Sequence, residues 1–327
     1  SGGRSMGDLL DAVLRCLLVA AAFLTLPLLV GQLEHKTMAH MQSRVGPMAA
    51  GGFHGWAQLV ADGVKFVQKE SITPVAADRR VFELAPAVAL VPYLVAMLAI
   101  PLGPFFGQGT LIGQDLDLGL FFVLAAMSVG VLGTLMGGLG SGNKYSYLGG
   151  LRVAAQLMSY ELPMVLAAAS VAMAAGTLSL IGIAGAWEPW WLLAQLPGLV
   201  VFFVAGLAEL QRPPFDAPLA DAELVMGPLT EYGGMRFAMF LLAEYAGIVV
   251  LAGLTTVLFL GGWAGPWSDH LGWLWTLLKI AGVSFLVIWA RVAYPRLRED
   301  QVNALAWKVL VPLALAQISL TTILVVA

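Results

Sequence analysis

Apolar residues run along this chain in long blocks, separated by short polar, glycine-rich or proline-rich connections. Eight blocks approach the 20 or so residues that a helix needs to cross about 30 Å of hydrocarbon. They are 12–33, 82–101, 118–139, 153–176, 190–210, 237–260, 271–292 and 305–326. A ninth element differs in kind. In FHGWAQLVADGVKFVQKE (53–70), His54, Gln58, Asp62, Lys65 and Lys69 recur at steps of four, four, three and four. Phe53, Trp56, Val60, Val64 and Val67 take the opposite side. That spacing predicts an amphipathic helix lying along the membrane face. RVGP (44–47) with Gly51 and Gly52 predicts the rigid turn that starts it. A plain anchor with no further role fits the same pattern.

The pattern therefore predicts an all-α integral membrane protein of about eight transmembrane helices plus a cytoplasmic amphipathic interfacial helix. Residues 6–327 read as a single polytopic membrane domain and SGGRS (1–5) as a tail or processing scar. Composition agrees: 59% of residues are hydrophobic and 11% charged, against about 25% charged in soluble domains. Mean hydropathy is +0.85. A net charge of −3 argues against a nucleic-acid partner, which would need a strongly basic face. One cysteine, Cys16, supplies neither a disulfide nor the ligand set of a zinc or iron–sulfur site. Electrons must then be carried on another chain or by a diffusible molecule.

Charge in the connections alternates. The first, third, fifth and seventh hold the Lys and Arg residues, among them Arg44, Lys65, Lys144, Arg212 and Arg296; the second, fourth and sixth hold Asp115, Asp117, Glu188, Asp269 and His270 and no Lys or Arg. The positive-inside rule places the basic connections in the cytoplasm and both termini outside. Trp187, Trp190, Trp191, Trp263, Trp267 and Trp273 fall at the outer ends of blocks and read as an aromatic belt. The glycines of GGLGSGNKYSYLGG read as a helix stop and tight re-entry, since no GxxxxGK[ST] is present.

Chemistry concentrates in 200–245, VVFFVAGLAELQRPPFDAPLADAELVMGPLTEYGGMRFAMFLLAEY. Glu209 ends one apolar block and Glu244 lies inside the next, while Glu161 sits within the fourth. A charge at membrane depth costs about 2.5–3.5 kcal/mol on insertion scales and marks ion or substrate pathways. Desolvated carboxyls exchange protons near neutrality. Arg212 follows Glu209 by three positions, a spacing at which the two would pair on a helix. Lys279 reads as a counter-charge for one of the glutamates. Pro213, Pro214 and Pro218 keep the connection out of a regular helix.

Four stretches in this order carry a resemblance: RVGP with QLVADGVKFVQKE; NKYSYLGGLRVAAQLMSYE; AELQRPPFDAPLADAELV with TEYGG and FLLAEY; and RVAYPRLREDQVNALAWKVLVPLAL. They resemble the quinone-tunnel membrane subunit of respiratory complex I, the NADH:quinone oxidoreductase, over nearly all of 34–315. The resemblance implies a translocase subunit inactive alone, embedded in the bacterial inner (plasma) membrane. It implies that Glu161, Glu209 and Glu244 form an intramembrane proton path. Arg44, Asp62, Lys65, Arg212 and Asp216 would surround a tunnel for a lipid quinone, the substrate. Asp221, Glu223 and Glu231 would contact the partner subunits. Those partners would be soluble quinone-site and iron–sulfur subunits and antiporter-like membrane subunits, with iron–sulfur and flavin groups on the partners only and none bound covalently here. The chain departs from the family pattern at His35, Met48, Leu210–Gln211 and Leu219. The homologous membrane subunit of an energy-converting hydrogenase is an alternative. A stand-alone secondary transporter is another, although no internal repeat of the kind such proteins show is visible.

Overall fold

Helix α10 (Gly234–Phe259) explains the arrangement of the rest. From Ala246 to Phe259 every position is buried. A helix that is apolar on all sides has no polar face to turn outward, so it takes the middle of the bundle. The computed structural model describes residues 6–104 and 110–326, with the backbone alone at Asp221 and at several positions near both ends. The expected tail, 1–5, lies outside them. Regular structure among the described residues is helical, with one isolated bridge between Pro104 and Thr110.

In chain order the remaining helices are α1 (Met6–Met41), α2 (Gln58–Gln68), α3 (Arg79–Ala99), α4 (Gly119–Gly140), α5 (Lys144–Ala175), α6 (Leu180–Ala186), α7 (Trp191–Ala194), α8 (Leu196–Glu209) and α9 (Asp221–Leu224), then, after α10, α11 (Ser268–Ala293), α12 (Glu299–Leu305) and α13 (Val311–Val326). α1, α3 and α11 pack on α10; α4 lies along α3, and α5 joins α4 to α8 and α13. Lipid gives helices no hydrophobic reason to associate, so close backbone approach does the work. At Gly133 a Cβ would stand 2.3 Å from the Ala89 nitrogen. Only glycine lets α3 and α4 meet there.

Among the described residues, six helical stretches are long and apolar enough to cross a membrane: α3, α4, α5, α10, α11 and 299–324. The protein is membrane-embedded and all-α. The other two expected blocks lie in α1 and in the shorter apolar α8, of 14 residues. Helix limits differ from the apolar blocks at several points, and α5 for one starts at Lys144, well before 153, with Asn143 as its N-cap. α1 continues to Met41, because no turn residue interrupts 32–41. The fifth block breaks at Gln195, whose side chain accepts from Ser170 and Gln317 and donates to Thr321. The eighth begins as α12 and passes through a wide π-turn, Ala306–Leu310, before α13. That turn keeps Val302, Ala306, Leu310 and Ala314 buried together. In a regular helix three steps of four would drift by about 120°.

α2 has the expected two faces. Val60, Val64 and Val67 are 54%, 52% and 69% exposed, an uncovered apolar stripe suited to an interface. His54 and Lys69 fall outside the helix; His54 lies in a short 3₁₀ turn with φ 57°.

Candidate functional site

α8 stops at Glu209, and Gln211 takes a left-handed φ of 54°. This turn swings Arg212 away from α8 into the bundle, where it is 1% exposed. The expected Glu209–Arg212 pair is therefore not formed: pairing at three residues needs a continuing helix. Arg212 Nη1 instead donates to both oxygens of Glu34 on α1, each at 2.8 Å. Its Nε stands 2.8 Å from Glu244 Oε1 on α10, an ion pair not aligned as a hydrogen bond. Arg291 of α11 also pairs with Glu34. The result is a row of alternating charge, Arg291–Glu34–Arg212–Glu244, tying three helices to the loop. The Arg212 guanidinium also lies 5.3 Å over the ring of Tyr245, within the range of a cation–π contact.

Glu209 is 2% exposed, and neither carboxyl oxygen has a hydrogen-bond partner among the described residues. It shares a cavity of about 50 Å³ with Tyr93, Thr134, Gln211 and Glu244. Glu161, on α5, is half-buried and accepts a 2.8 Å hydrogen bond from Ser128. It lies close enough to Glu209 for their charges to interact. The three glutamates are thus held by three different helices around one region.

A second cavity, of about 420 Å³, opens between α1, α2, α3 and α10. Leu28, Leu59, Phe66, Met235 and Leu242 make it apolar; Asp62 and Tyr245 are the polar side chains on its wall. Asp62 accepts from Gln58 at 3.0 Å and from Lys65 at 3.3 Å. Tyr245 joins this cavity to the charge row through Arg212. Other expected tunnel positions lie elsewhere. Lys65 has 72% of its side chain exposed, and Arg44 is exposed beside Lys36, His40 and His54 in a separate polar recess. Asp216 is held by Arg296 at 2.7 and 2.5 Å.

The acidic loop is pinned at several points. Arg152 bonds Glu223 at 2.6 Å and the Ala217 carbonyl at 3.1 Å, and it lies 3.2 Å from Glu299. The hydrogen bond from Arg152, and then its charge, hold the Glu223 carboxyl below the usual carboxylate range. Glu231 accepts from Asn143 at 2.6 Å. Tyr232 stacks on Phe82 with ring centroids 4.1 Å apart, and burial pushes its phenol up. The side chain of Asp221 lies outside the described residues.

Two expectations need correction. Lys279 pairs with no glutamate; its Nζ donates to the carbonyls of Leu260, Gly262 and Ala264 at 2.8–2.9 Å. It satisfies carbonyls just past the end of α10, where a cation is favoured. The six tryptophans do not all face outward. Trp190 and Trp267 are exposed, but Trp191 is 7% exposed and Trp187 donates to the Phe259 carbonyl.

Sequence reasoning missed Glu34, Arg291, Tyr93 and Tyr245. Glu34 follows an apolar block and reads as the first loop residue. The lack of a turn signal before Ser43 was the clue that it belongs to a helix.

The NADH dehydrogenase family model matches residues 14–322. The chain is 45% identical over 311 residues to the NADH-quinone oxidoreductase subunit designated H 2 in Rhizobium meliloti, covering 94% of each. It is 42% identical over 340 residues to the protein of the same name in Geobacter metallireducens, covering 99% of this chain and 98% of the relative. With the NADH-quinone oxidoreductase subunit designated H in Geobacillus thermodenitrificans it shares 42% identity over 94% of its length and 91% of the relative.

Proposed function

Since the chain belongs to the NADH dehydrogenase family, we propose that it is the membrane subunit of a proton-translocating NADH:quinone oxidoreductase. It would form a quinone-access tunnel and couple quinone reduction to a glutamate path. It works as one polytopic domain in the bacterial inner membrane, with both termini outside, beside soluble quinone-site and iron–sulfur subunits and antiporter-like membrane subunits. Flavin and iron–sulfur groups reside on those partners. The names of the relatives favour this reading over a hydrogenase component or a transporter.

One observation carries the coupling: Arg212 touches both Tyr245, on the wall of the apolar cavity, and Glu244, on the wall of the cavity that holds Glu209. The larger cavity suits an apolar ligand with a polar head, since such sites are mostly apolar with a few placed polar groups. Asp62 and Tyr245 are the groups there able to hold a quinone oxygen or its incoming proton. Reduction of a quinone takes two electrons and two protons. A change of charge near Tyr245 alters how strongly Arg212 holds Glu244, and so the readiness of Glu244 to accept a proton. The acidic loop, pinned through Arg152 and Asn143, faces the partner subunits.

The test is Glu161→Gln, Glu209→Gln and Glu244→Gln, each in the assembled complex. Glutamine keeps the shape, removes the titratable proton, and is cheaper to bury than a carboxylate. Assembly survives while quinone reductase activity and proton translocation fall together, by about tenfold or more. Asp221→Asn, in the loop, causes a milder loss. Normal pumping in all three glutamine variants, with both activities abolished by Asp221→Asn, would overturn the glutamate path.

A further inference from the structure

The glutamate path requires a link between Glu209 and Glu244, and no side chain bonds the two directly. The geometry points to a water chamber between them, framed by Tyr93, Thr134 and Gln211, in which the Tyr93 hydroxyl orients the water that passes a proton from Glu209 to Glu244. This rests on the glutamate path proposed above and adds to it the residues that conduct.

The cavity is about 50 Å³. A water needs about 10–15 Å³ on that measure and two to four polar partners, so about three to five waters fit. Its wall supplies the partners. Tyr93, on α3, is buried, and its hydroxyl bonds no described residue. A buried phenol normally finds a partner, and here the cavity is where one can be. The ring is clamped. A Cβ at Gly130 on α4 would stand 2.7 Å from it, and one at Gly247 on α10 would stand 3.3 Å away. Two glycines thus make room for an aromatic ring at the level of two carboxyls.

Gln211 is fixed with equal definition. Its Nε2 donates to Thr134 Oγ1 at 3.2 Å, and that hydroxyl donates to the Val131 carbonyl at 2.7 Å. The Gln211 amide oxygen accepts from no described residue, which leaves it to receive a bond from water in the cavity. The chamber thereby has a donor in Tyr93, an acceptor in Gln211 and a carboxyl on either side.

The transfer balances without another reactant. An O–H bond of the Glu209 carboxyl breaks and its proton joins the first water; the last water releases a proton to Glu244. Glu209 ends as a carboxylate and Glu244 as a neutral carboxyl, and no electron moves. Neutral Glu244 then holds Arg212 less firmly, leaving it to Glu34.

Tyr93→Phe keeps the clamped ring and removes the hydroxyl. In the complex purified through this chain, assembly should be unchanged, coupled turnover lower by about tenfold, and the solvent deuterium isotope effect larger. Gln211→Leu should act in the same way, while Gln211→Asn, which keeps the amide and tolerates the left-handed backbone, restores most of the rate. A purely structural role would lower the rate without moving the isotope effect, and that result overturns the proposal. So does parental behaviour of both Tyr93→Phe and Gln211→Leu while Glu209→Gln and Glu244→Gln are inactive; the path then stands and the chamber does not. Should the glutamine variants themselves pump normally, path and chamber fall together. If Tyr93→Phe does not assemble, the Gln211 pair of variants decides.

Discussion

Arg212 and Glu34 stand 178 positions apart in the chain, and each is 1% exposed where they meet at 2.8 Å. The contact fastens the loop after α8 to the first helix. Burying two charges costs several kcal/mol per ion, and their attraction repays this only with good geometry and further hydrogen bonds. Arg291 and Glu244 supply further partners at either end of the pair.

Removing the arginine should therefore cost more than removing the acid. Arg212→Gln leaves Glu34 and Glu244 without it, a loss of about 3–5 kcal/mol, and the complex should accumulate poorly or melt at a lower temperature. Glu34→Gln leaves Arg212 its contact with Glu244 and should melt closer to the parent. The double variant should recover part of the loss. Equal melting of parent and Arg212→Gln would show that the row is not structural.

The acidic loop should loosen in acid. The folded Glu223 carboxyl titrates below its unfolded value of about 4.3. Its contribution is complete above that value and is lost as pH falls through the folded titration. Glu223 has 53% of its side chain exposed, so solvent screening keeps the contribution small. Amide exchange across α9 should rise below about pH 4 in the parent, and Arg152→Gln should exchange faster already at neutral pH. Parallel exchange profiles for the two proteins would contradict this.

Orientation is open to direct labelling. In a Cys16→Ser background, single cysteines at Lys69 and Asp300 should be shielded from an impermeant thiol reagent in intact cells. Cysteines at Glu188 and Asp269 should react. All four positions are exposed in the structure, and reaction at 69 and 300 once the cells are permeabilised separates the side of the membrane from cover by partner subunits. The reverse pattern would invert the topology.

Helical class and the seating of the three glutamates in apolar helices were legible because apolar length and isolated charge are properties of the chain itself. The partner of Arg212 was not. Spacing of three suggests Glu209, but the left-handed Gln211 redirects the side chain, and such a turn leaves little trace at a glutamine. Lys279 misled for a related reason. Sequence shows a cation inside an apolar block, whereas what it satisfies are backbone carbonyls, which every residue has. Tyr93 and its two glycines lie on three helices, so nothing local joins them.

The wide turn at Ala306–Leu310 has a mechanical meaning. It acts as a phase shifter in an otherwise continuous rod. Upstream, Tyr160 donates to the Val302 carbonyl and Ser159 to Asn303, locking α12 against α5. Downstream, Leu313, Leu315, Leu320, Ile323 and Leu324 point outward. Deleting one residue within the turn would rotate everything after it by about 100° relative to α12. The buried Gln317 and Thr321 would then turn away from Gln195, although composition and hydropathy along the block would hardly change.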